Sequence, residues 1–585
     1  MSTNVRNMRQ PASNDWAMLW LLLGAIGLWF LIWAALRAAP MIGGHDQAVS
    51  VNPVAMLKQI LDGDVRFGAA EAIAVALALI LVIGGVCFIM VRLRKSRTKK
   101  PGSSVRHSTR WLASRKDIES MSHRSAAAAS KRMALELPEQ SAPGVFLGRE
   151  LGSGKPIWVD YETLTTHFWA ARRGKTTTQV MPQIYHAPGG VITSSNKRDV
   201  VDDTLALREQ LGTCWVFDPQ RIYTTEEPDW FFDPLDYIRR RPQDEWDTAA
   251  NALASLFRDD AGMNSENAQK DVFSEGGQAL VSGMLLAACL DNRPISDVME
   301  WSSNERDPEP VEILQRHGWG SKAANVRARY ELTDKTRSGV FANAVQMVQS
   351  LDPQMVRKWV TPSAGKRRFD ADEFIEQSQR GQRPTMYLLS KEGPTSASAL
   401  TLILLVTLMD AAEEFGEKNR GGRLTTPLIV PLDEAANTVK WGQLSNKYSH
   451  YGSRSIIIST IMQSFTQGKR VWGEDSVKDM MTNSCVIYGG GIKDERFLTE
   501  LSQIVGDHEE ARVSRSHGDG AGSGSTSTQV SEKRTLSVSE LQSLERGVAL
   551  VIPQNAAPML VRTVLVKDQK FSPEIRDLMA TATGA

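Results

Sequence analysis

Cysteine is scarce in this chain. There are four in 585 residues, Cys87, Cys214, Cys289 and Cys485, and no two are spaced as a CxxC pair or a metal-ligand set. That argues against a disulfide framework and makes a reduced, cytosolic body the plain reading. Histidine is also sparse, at nine residues, and forms no cluster with cysteine that would suggest zinc. An excess of one charge is missing too: 68 basic residues face 67 acidic ones, a net charge of +1 that hides an uneven distribution. No global signal for nucleic acid can be read from such a balance. At 585 residues the chain is too long for one core, which predicts at least two soluble domains besides any membrane part.

Long apolar runs are few, and two of them stand near the N-terminus. Residues 16–36 and 73–91 carry no charge and are long enough to span a bilayer. A signal peptide would be the other reading of the first run, but no small-residue cleavage site follows it. Trp16, Trp20, Trp29 and Trp33 suit interfacial anchoring. The second run is followed by Arg92, Arg94, Lys95, Arg97, Lys99 and Lys100, and the tail before the first has Arg6 and Arg9. The intervening loop mixes Arg37, Lys58 and Arg66 with Asp46, Asp62 and Asp64. This bias predicts a multi-pass protein of the cytoplasmic (inner) membrane with both termini in the cytoplasm. For the basic run, topology and anionic lipid are preferred over a nucleic-acid patch because of its place beside a membrane helix. A third apolar stretch, 399–409, is too short to span and reads as a buried helix.

The remainder divides by pattern. Residues 1–15 form a cytoplasmic tail, 37–72 the extracytoplasmic loop and 92–140 a cytoplasmic linker. A hairpin is expected over 144–161, with Gly152-Ser153-Gly154 at its turn. Helices then alternate with short apolar strands at 190–194 and 214–219, which argues for a parallel sheet covered on both faces, begun in 141–241. Over 242–363 only helical periods are found, at 249–257, 272–290 and 340–351, so an all-α insertion is expected there. Strand patterns resume in 364–585, at 385–390, 427–432, 455–462, 485–489 and 548–553. The Gly/Ser/Thr-rich stretch 518–528 is expected to be a flexible, disordered loop.

Two motifs carry chemistry. Arg173-Gly174-Lys175-Thr176-Thr177, ahead of a helix, has the form of a phosphate loop, in which backbone N–H groups and a lysine cradle phosphates and a hydroxyl ligates Mg²⁺. The apolar strand ending in Asp433-Glu434 supplies a carboxylate for the metal and a second one to orient water. Together they predict nucleotide binding. Two residues depart from the pattern. Trp169 stands where GxxxxGK[ST] has its first glycine, and a bulky residue there would distort a turn that needs glycine's backbone freedom. Arg172 and Arg173 then fill the crown of the loop, where they would add charge toward the phosphates. Pro431 sits inside the strand and removes a ladder donor. Gln463, at the end of the strand over 455–462, is positioned to aim its amide at a γ-phosphate. Arg454, just before that strand, is a candidate to reach a neighbouring subunit's nucleotide as an arginine finger.

Asp433-Glu434-Ala435-Ala436-Asn437, then Tyr448-Ser449-His450-Tyr451-Gly452-Ser453-Arg454, then Met462-Gln463-Ser464, resembles the coupling proteins of bacterial type IV secretion and conjugation. These are TraG-like relatives of the FtsK DNA translocases. Asn483 to Gly489, Leu501-Ser502, Val505-Gly506, Arg534, Glu540-Leu541 and Gly547 to Val551 continue the likeness, which covers most of the chain from Thr109 on. The Tyr-Gly-Ser-Arg segment looks most like actinobacterial versions. The resemblance implies an α/β fold: a RecA-like P-loop ATPase domain with an inserted all-α domain, preceded by two transmembrane helices. It implies ATP and Mg²⁺, a homo-oligomer in the form of a hexameric ring, and transfer of a relaxase–single-stranded DNA complex or protein to type IV secretion channel components. By matching positions, Lys175 contacts the β/γ-phosphates, Thr176 the Mg²⁺, and Asp433 the metal through water. Glu434 polarises the attacking water and Gln463 senses the γ-phosphate. The arginine finger carries over poorly, because the Arg454–Gln463 spacing differs from that of better-known relatives, and Arg512 or Arg534 are substitutes. The all-α insertion corresponds to the domain that meets cargo.

Two other readings compete with the motor. One is a membrane docking platform that binds nucleotide with weak or no hydrolysis, motivated by the altered loop. The other is a chromosome-partitioning translocase, disfavoured because little chain follows Val551 for a DNA-reading winged helix.

Overall fold

The computed structural model describes residues 104–577 apart from 140, 264–271, 392, 394–396, 518–523 and 570–574, together with short stretches between 30 and 76. The chain forms two units, 1–103 and 104–585. In the first, Asn52 caps the helix Pro53–Leu61 by accepting from Val54 N at 3.0 Å, and Val49, Met56 and Val65 form a small core. The expected spans at 16–36 and 73–91 lie almost wholly outside the described residues. Among the described residues one helix is long and apolar enough to cross a membrane, Phe273–Leu290. It is mostly buried within the second unit, as the core helix of a soluble domain would be.

The second unit is organised by one sheet of eleven strands. In chain order these are β1 (Val145–Glu150), β2 (Pro156–Val159), β3 (Thr165–Phe168), β4 (Val191–Ser195) and β5 (Cys214–Phe217). After a separate pair, β6 (Trp230–Phe231) and β7 (Arg367–Arg368), come β8 (Thr385–Leu389), β9 (Leu428–Leu432), β10 (Ile456–Met462) and β11 (Cys485–Tyr488). β12 (Asp507–His517) and β13 (Gly524–Arg534) pair only with each other, and β14 (Val548–Ile552) and β15 (Met559–Arg562) complete the sheet. Its order is β2-β1-β15-β14-β11-β3-β10-β9-β4-β8-β5. From β11 to β5 every neighbour is parallel, and from β11 to β2 every neighbour is antiparallel.

Strands β4, β8, β9 and β10 are buried at every position, and polar residues within them, such as Thr193 and Ser459, are hydrogen-bonded inside the fold. Alternate residues enter two different cores. Ile456, Ile458 and Met462 join one cluster, Ile457 and Ile461 the other, as a pleated sheet with both faces covered requires. Pro431 does lie in a central strand. On the β4 side Ile429 N and Asp433 N donate to Gly190 O and Ser194 O at 3.1 Å each, and Pro431 midway has no N–H to give. Thr193 Oγ1 donates to Pro431 O at 2.9 Å, so the strand stays tied across the gap.

Between β6 and β7 the described residues of 242–363 form helices, among them Trp246–Asp260, Val272–Leu290 and Asp334–Val348. The parallel pairing of Trp230 with Arg367 and Phe231 with Arg368 closes the two ends of this insertion against each other. Helix Val272–Leu290 packs closely on its neighbours: a Cβ at Gly283 would fall 2.2 Å from Val326 Cγ2. The far end of Trp246–Asp260 touches the loop that follows β9. Gly442 N donates to Asp259 Oδ2 at 2.8 Å, and Lys440 Nζ donates to Asp260 O at 3.2 Å.

The Gly/Ser/Thr-rich stretch expected as a disordered loop divides. Residues 518–523 lie outside the described residues, whereas 524–528 belong to β13, with Thr528 opposite Val513 and Gly524 opposite His517. Composition missed this because pairing between two strands satisfies backbone groups in a way that a local residue count does not see.

Candidate nucleotide site

The loop from β3 to the next helix carries the lysine. The chain takes left-handed angles at Arg172 (φ 60°) and Gly174 (φ 86°), but not at Trp169. Glycine's freedom is therefore required at Gly174 and not at the position where Trp169 departs from the pattern. The bulk of Trp169 is accommodated from the other side. Its ring is fully buried, and a Cβ at Gly489 would lie 2.0 Å from it. Trp169 N donates to Met462 O at 2.9 Å, fastening the loop's base to the end of β10. The helix then opens with a widened, π-type turn over Thr176–Val180, ahead of Met181–His186. Pro182 has no N–H to return to Thr178, which accounts for the wide turn.

Lys175, Thr176, Asp433, Glu434 and Gln463 come together from three separate segments. Lys175 Nζ donates to Asp433 Oδ1 at 2.7 Å and also to Glu434 Oε1. Thr176 Oγ1 donates to Asp433 Oδ2 at 2.9 Å. Gln463 Nε2 lies 2.7 Å from both carboxylate oxygens of Glu434. Lys175, Asp433 and Glu434 are all buried. Glu434 adopts φ 53°, a left-handed conformation that turns the chain sharply at the end of β9. In a site of low dielectric two adjacent carboxylates repel, and a lysine ammonium between them offsets that repulsion. Thr177 Oγ1 turns back to Gly174 O at 3.2 Å.

Two expected site residues are not brought to this cluster. The side chain of Arg173, expected to face phosphates, donates to Gly489 O at 2.9 Å and to Leu544 O. Trp169 Nε1 in turn donates to Arg173 O at 3.3 Å, so the tryptophan, the arginine and Gly489 brace one another. Arg454 lies at the opposite end of β10 from Gln463. Seven strand residues separate them, about 23 Å at the usual rise. Its guanidinium pairs with Glu413 at 3.3 Å and Glu417 at 2.8 Å. Of the substitutes, Arg534 pairs with Asp507 at 3.1 Å.

Other residues near the site were not anticipated. Asp199 opens the helix Asp199–Arg208 after β4, and its carboxyl is held above the ordinary range by burial first and by the charge of Asp433 second. His167, on β3 beneath the loop, is fully buried. Its Nε2 lies 2.9 Å from Thr165 Oγ1, and burial lowers its pKa to about 3. Gln467 and Asn437 join the elements that carry Gln463 and Glu434. Asp199 follows a strand end, which is a readable signal. His167 and Gln467 have no local signature.

Comparisons with known proteins bear on this arrangement. Residues 427–546, which include Asp433, Glu434 and Gln463, match the family model described as the TraM recognition site of TraD and TraG. The probable conjugal transfer protein TraG of Sinorhizobium fredii (strain NBRC 101917 / NGR234) is 22% identical over 351 residues, 58% of this chain and 52% of its own length. The chain thus spans about half the length of this curated relative. Among solved structures, the plasmid coupling protein TrwB in complex with a non-hydrolysable ATP analogue, ADPNP, is 14% identical and has a TM-score of 0.53, covering 76% of this chain and 94% of that one. TrwB in complex with ADP and Mg²⁺ gives the same identity, coverage and score. At that identity the likeness concerns the fold, a mixed α/β sheet. The resemblance to TraG-like coupling proteins that the sequence carries at Asp433–Asn437, Tyr448–Arg454 and Met462–Ser464 is thus shown by a family model, a conjugal transfer relative and a shared fold.

Proposed function

We propose that this chain is a coupling ATPase of conjugative or type IV secretion transfer, anchored in the cytoplasmic membrane and working as a homo-oligomeric, hexameric ring. In this reading it passes a relaxase–single-stranded DNA complex or protein cargo to the secretion channel, using ATP hydrolysis. The observation that carries the reading is the convergence of Lys175 and Thr176 on Asp433, with Glu434 clamped by Gln463. A lysine, a hydroxyl, two carboxylates and an amide at the carboxyl ends of adjacent parallel strands form the donor set that phosphoryl transfer uses.

On binding ATP, Lys175 exchanges its carboxylate partners for β/γ-phosphate oxygens. Thr176 Oγ1 and Asp433, the latter through water, are the residues that would hold Mg²⁺. They are hard oxygen donors 2.9 Å apart, and this ion prefers one or two protein ligands completed by water and phosphate. Among the described residues no group of three or more histidine, cysteine, aspartate or glutamate side chains forms a cage for a metal, in keeping with that open type of site. The bound ion neutralises charge on the phosphates. Glu434 polarises the attacking water, and Gln463 senses the γ-phosphate. The backbone N–H groups of residues 173–177 are the remaining phosphate donors. The full chain with ATP and Mg²⁺ tests the reading. Steady phosphate release is expected, lost in Glu434→Gln while nucleotide binding persists. Tight binding without release from the native chain would replace the motor with a nucleotide-binding docking platform.

A further inference from the structure

We infer that Gln467 is a positioning residue that holds the water-polarising carboxylate and the γ-phosphate sensor in one rigid frame, an inference that rests on the hydrolytic reading above. Ser464 caps the helix Phe465–Trp472 by accepting from Gln467 N at 3.1 Å. In a Ser-x-x-Gln capping box the glutamine side chain returns to the backbone N–H of the cap residue. Here it does not. Gln467 Oε1 accepts from the backbone N–H of Gln463 at 3.2 Å, one residue earlier, and its Nε2 donates to Asn437 Oδ1.

That detour closes a ring. Asn437 N donates to Glu434 O at 2.8 Å, and Gln463 Nε2 grips both oxygens of Glu434 at 2.7 Å. The path therefore runs from Glu434 through its own turn to Asn437, across Gln467 to the backbone of Gln463, and through the Gln463 amide back to Glu434. Glu434 sits in a left-handed conformation at a strand end, a backbone that persists only when its surroundings over-determine it. Gln467 supplies that constraint from the neighbouring strand's side. It touches neither reacting group, and it fixes the angle between the two that do. The helix does not depend on its side chain, because the cap is made by Ser464 Oγ and a backbone N–H.

The test uses the full chain, reading kcat and KM for ATP, the affinity for a fluorescent ATP analogue, and Tm. Gln467→Ala is expected to lower kcat by about ten- to a hundredfold, the range for removing a group that orients a site residue, with nucleotide affinity and Tm retained. The conservative pair supplies a second, sharper readout. Gln467→Glu still accepts from Gln463 N–H and from an Asn437 amide turned end for end, and Asn437→Asp still accepts from the Gln467 amide. Each single change is expected to keep turnover within a few-fold. The double variant sets two carboxylates against each other and is expected to lose at least about tenfold more than the two singles combined, the mark of direct coupling. Unchanged kcat in Gln467→Ala with an active native chain would overturn the inference alone. So would a fall in kcat matched by lost affinity and Tm, or additivity in the double variant. A native chain that binds the analogue without turnover would overturn the hydrolytic reading and this inference with it.

Discussion

Lys175 holds together two carboxylates that would otherwise face each other in a buried site, so its removal affects both charge and geometry. Lys175→Ala is expected to abolish nucleotide binding, measured by titrating a fluorescent ATP analogue, while the chain still reaches the membrane. Retained affinity would remove Lys175 from the phosphate site. Glu434→Gln keeps the Gln463 contact possible but withdraws the charge proposed to polarise water, and turnover is expected to fall about a hundredfold or more with ATP still bound. Trp169 and Gly489 form a matched pair, since a methyl at Gly489 would meet the indole at 2.0 Å. Gly489→Ala is expected to cost about 1–3 kcal/mol of stability by overpacking, read as a lower Tm. In a Trp169→Gly background the same change should cost much less. Equal penalties in both backgrounds would mean that the two positions are not coupled.

The helix Asp199–Arg208 and the helix Met181–His186 are held to the sheet by polar groups buried without counter-charge. Arg208 is fully buried, and its guanidinium donates to Thr385 Oγ1 and to the carbonyls of Ile184, Gly189 and Arg383 between 2.7 and 3.3 Å. Arg208→Met leaves several acceptors unpaired and is expected to destabilise the unit by about 3 kcal/mol, measured by denaturant unfolding. His167, on β3, and His186, at the end of the helix Met181–His186, make the unit sensitive to acid. Burial lowers their pKa values to about 3 and about 4, below the value of about 6.5 in an unfolded chain. The unfolded state therefore takes up these protons first as pH falls below 6.5. Stability due to the two groups is fully present above pH 6.5 and is lost toward pH 4 at about 1.4 kcal/mol per pH unit per histidine. Asp259, pushed up to about 6 by burial, opposes them with one proton between pH 4 and 6. The histidine contribution is isolated by comparison: a His186→Gln variant is expected to lose less stability than the native chain between pH 6 and 4. Equal losses in the two chains would contradict the burial of His186.

The helical insertion meets the loop after β9 where Asp259 and Asp260 hold Gly442 and Lys440, just beyond the turn that carries Glu434. A shift of the helix Trp246–Asp260 therefore has a short physical path to Glu434. Membrane topology is checked separately. Reporters at Thr3 and Ala585 are expected inside and one at Gly44 outside, and a cytoplasmic signal from Gly44 would reverse the orientation. Assembly is checked by mixing. If Arg454 leaves Glu413 and Glu417 to complete a neighbour's site, Arg454→Ala binds ATP but hydrolyses slowly, and adding Lys175→Ala subunits restores part of the rate. A finger contributes about 10³–10⁵ in rate, so a minority of whole interfaces would be visible. Native turnover from an oligomeric Arg454→Ala would leave the arginine with its intrachain ion pairs alone.

Much of this molecule is written locally. Short β-prone stretches between turn residues mark β4, β8, β9 and β10, and Gly174-Lys175-Thr176 and Asp433-Glu434 mark the candidate site, because a buried strand and a sharp loop each need particular residues in sequence. The strand order, and the matching of Trp169 to Gly489 some three hundred residues away, have no local trace. Nor does the diversion of Arg173 to the carbonyls of Gly489 and Leu544, or of Gln467 from its own cap to Asn437. A side chain with several possible partners takes those that the packed sheet brings within reach, and a buried donor or acceptor must be paired once water is excluded. Those partners come from segments far apart in the chain, so their pairing was settled by the folded sheet.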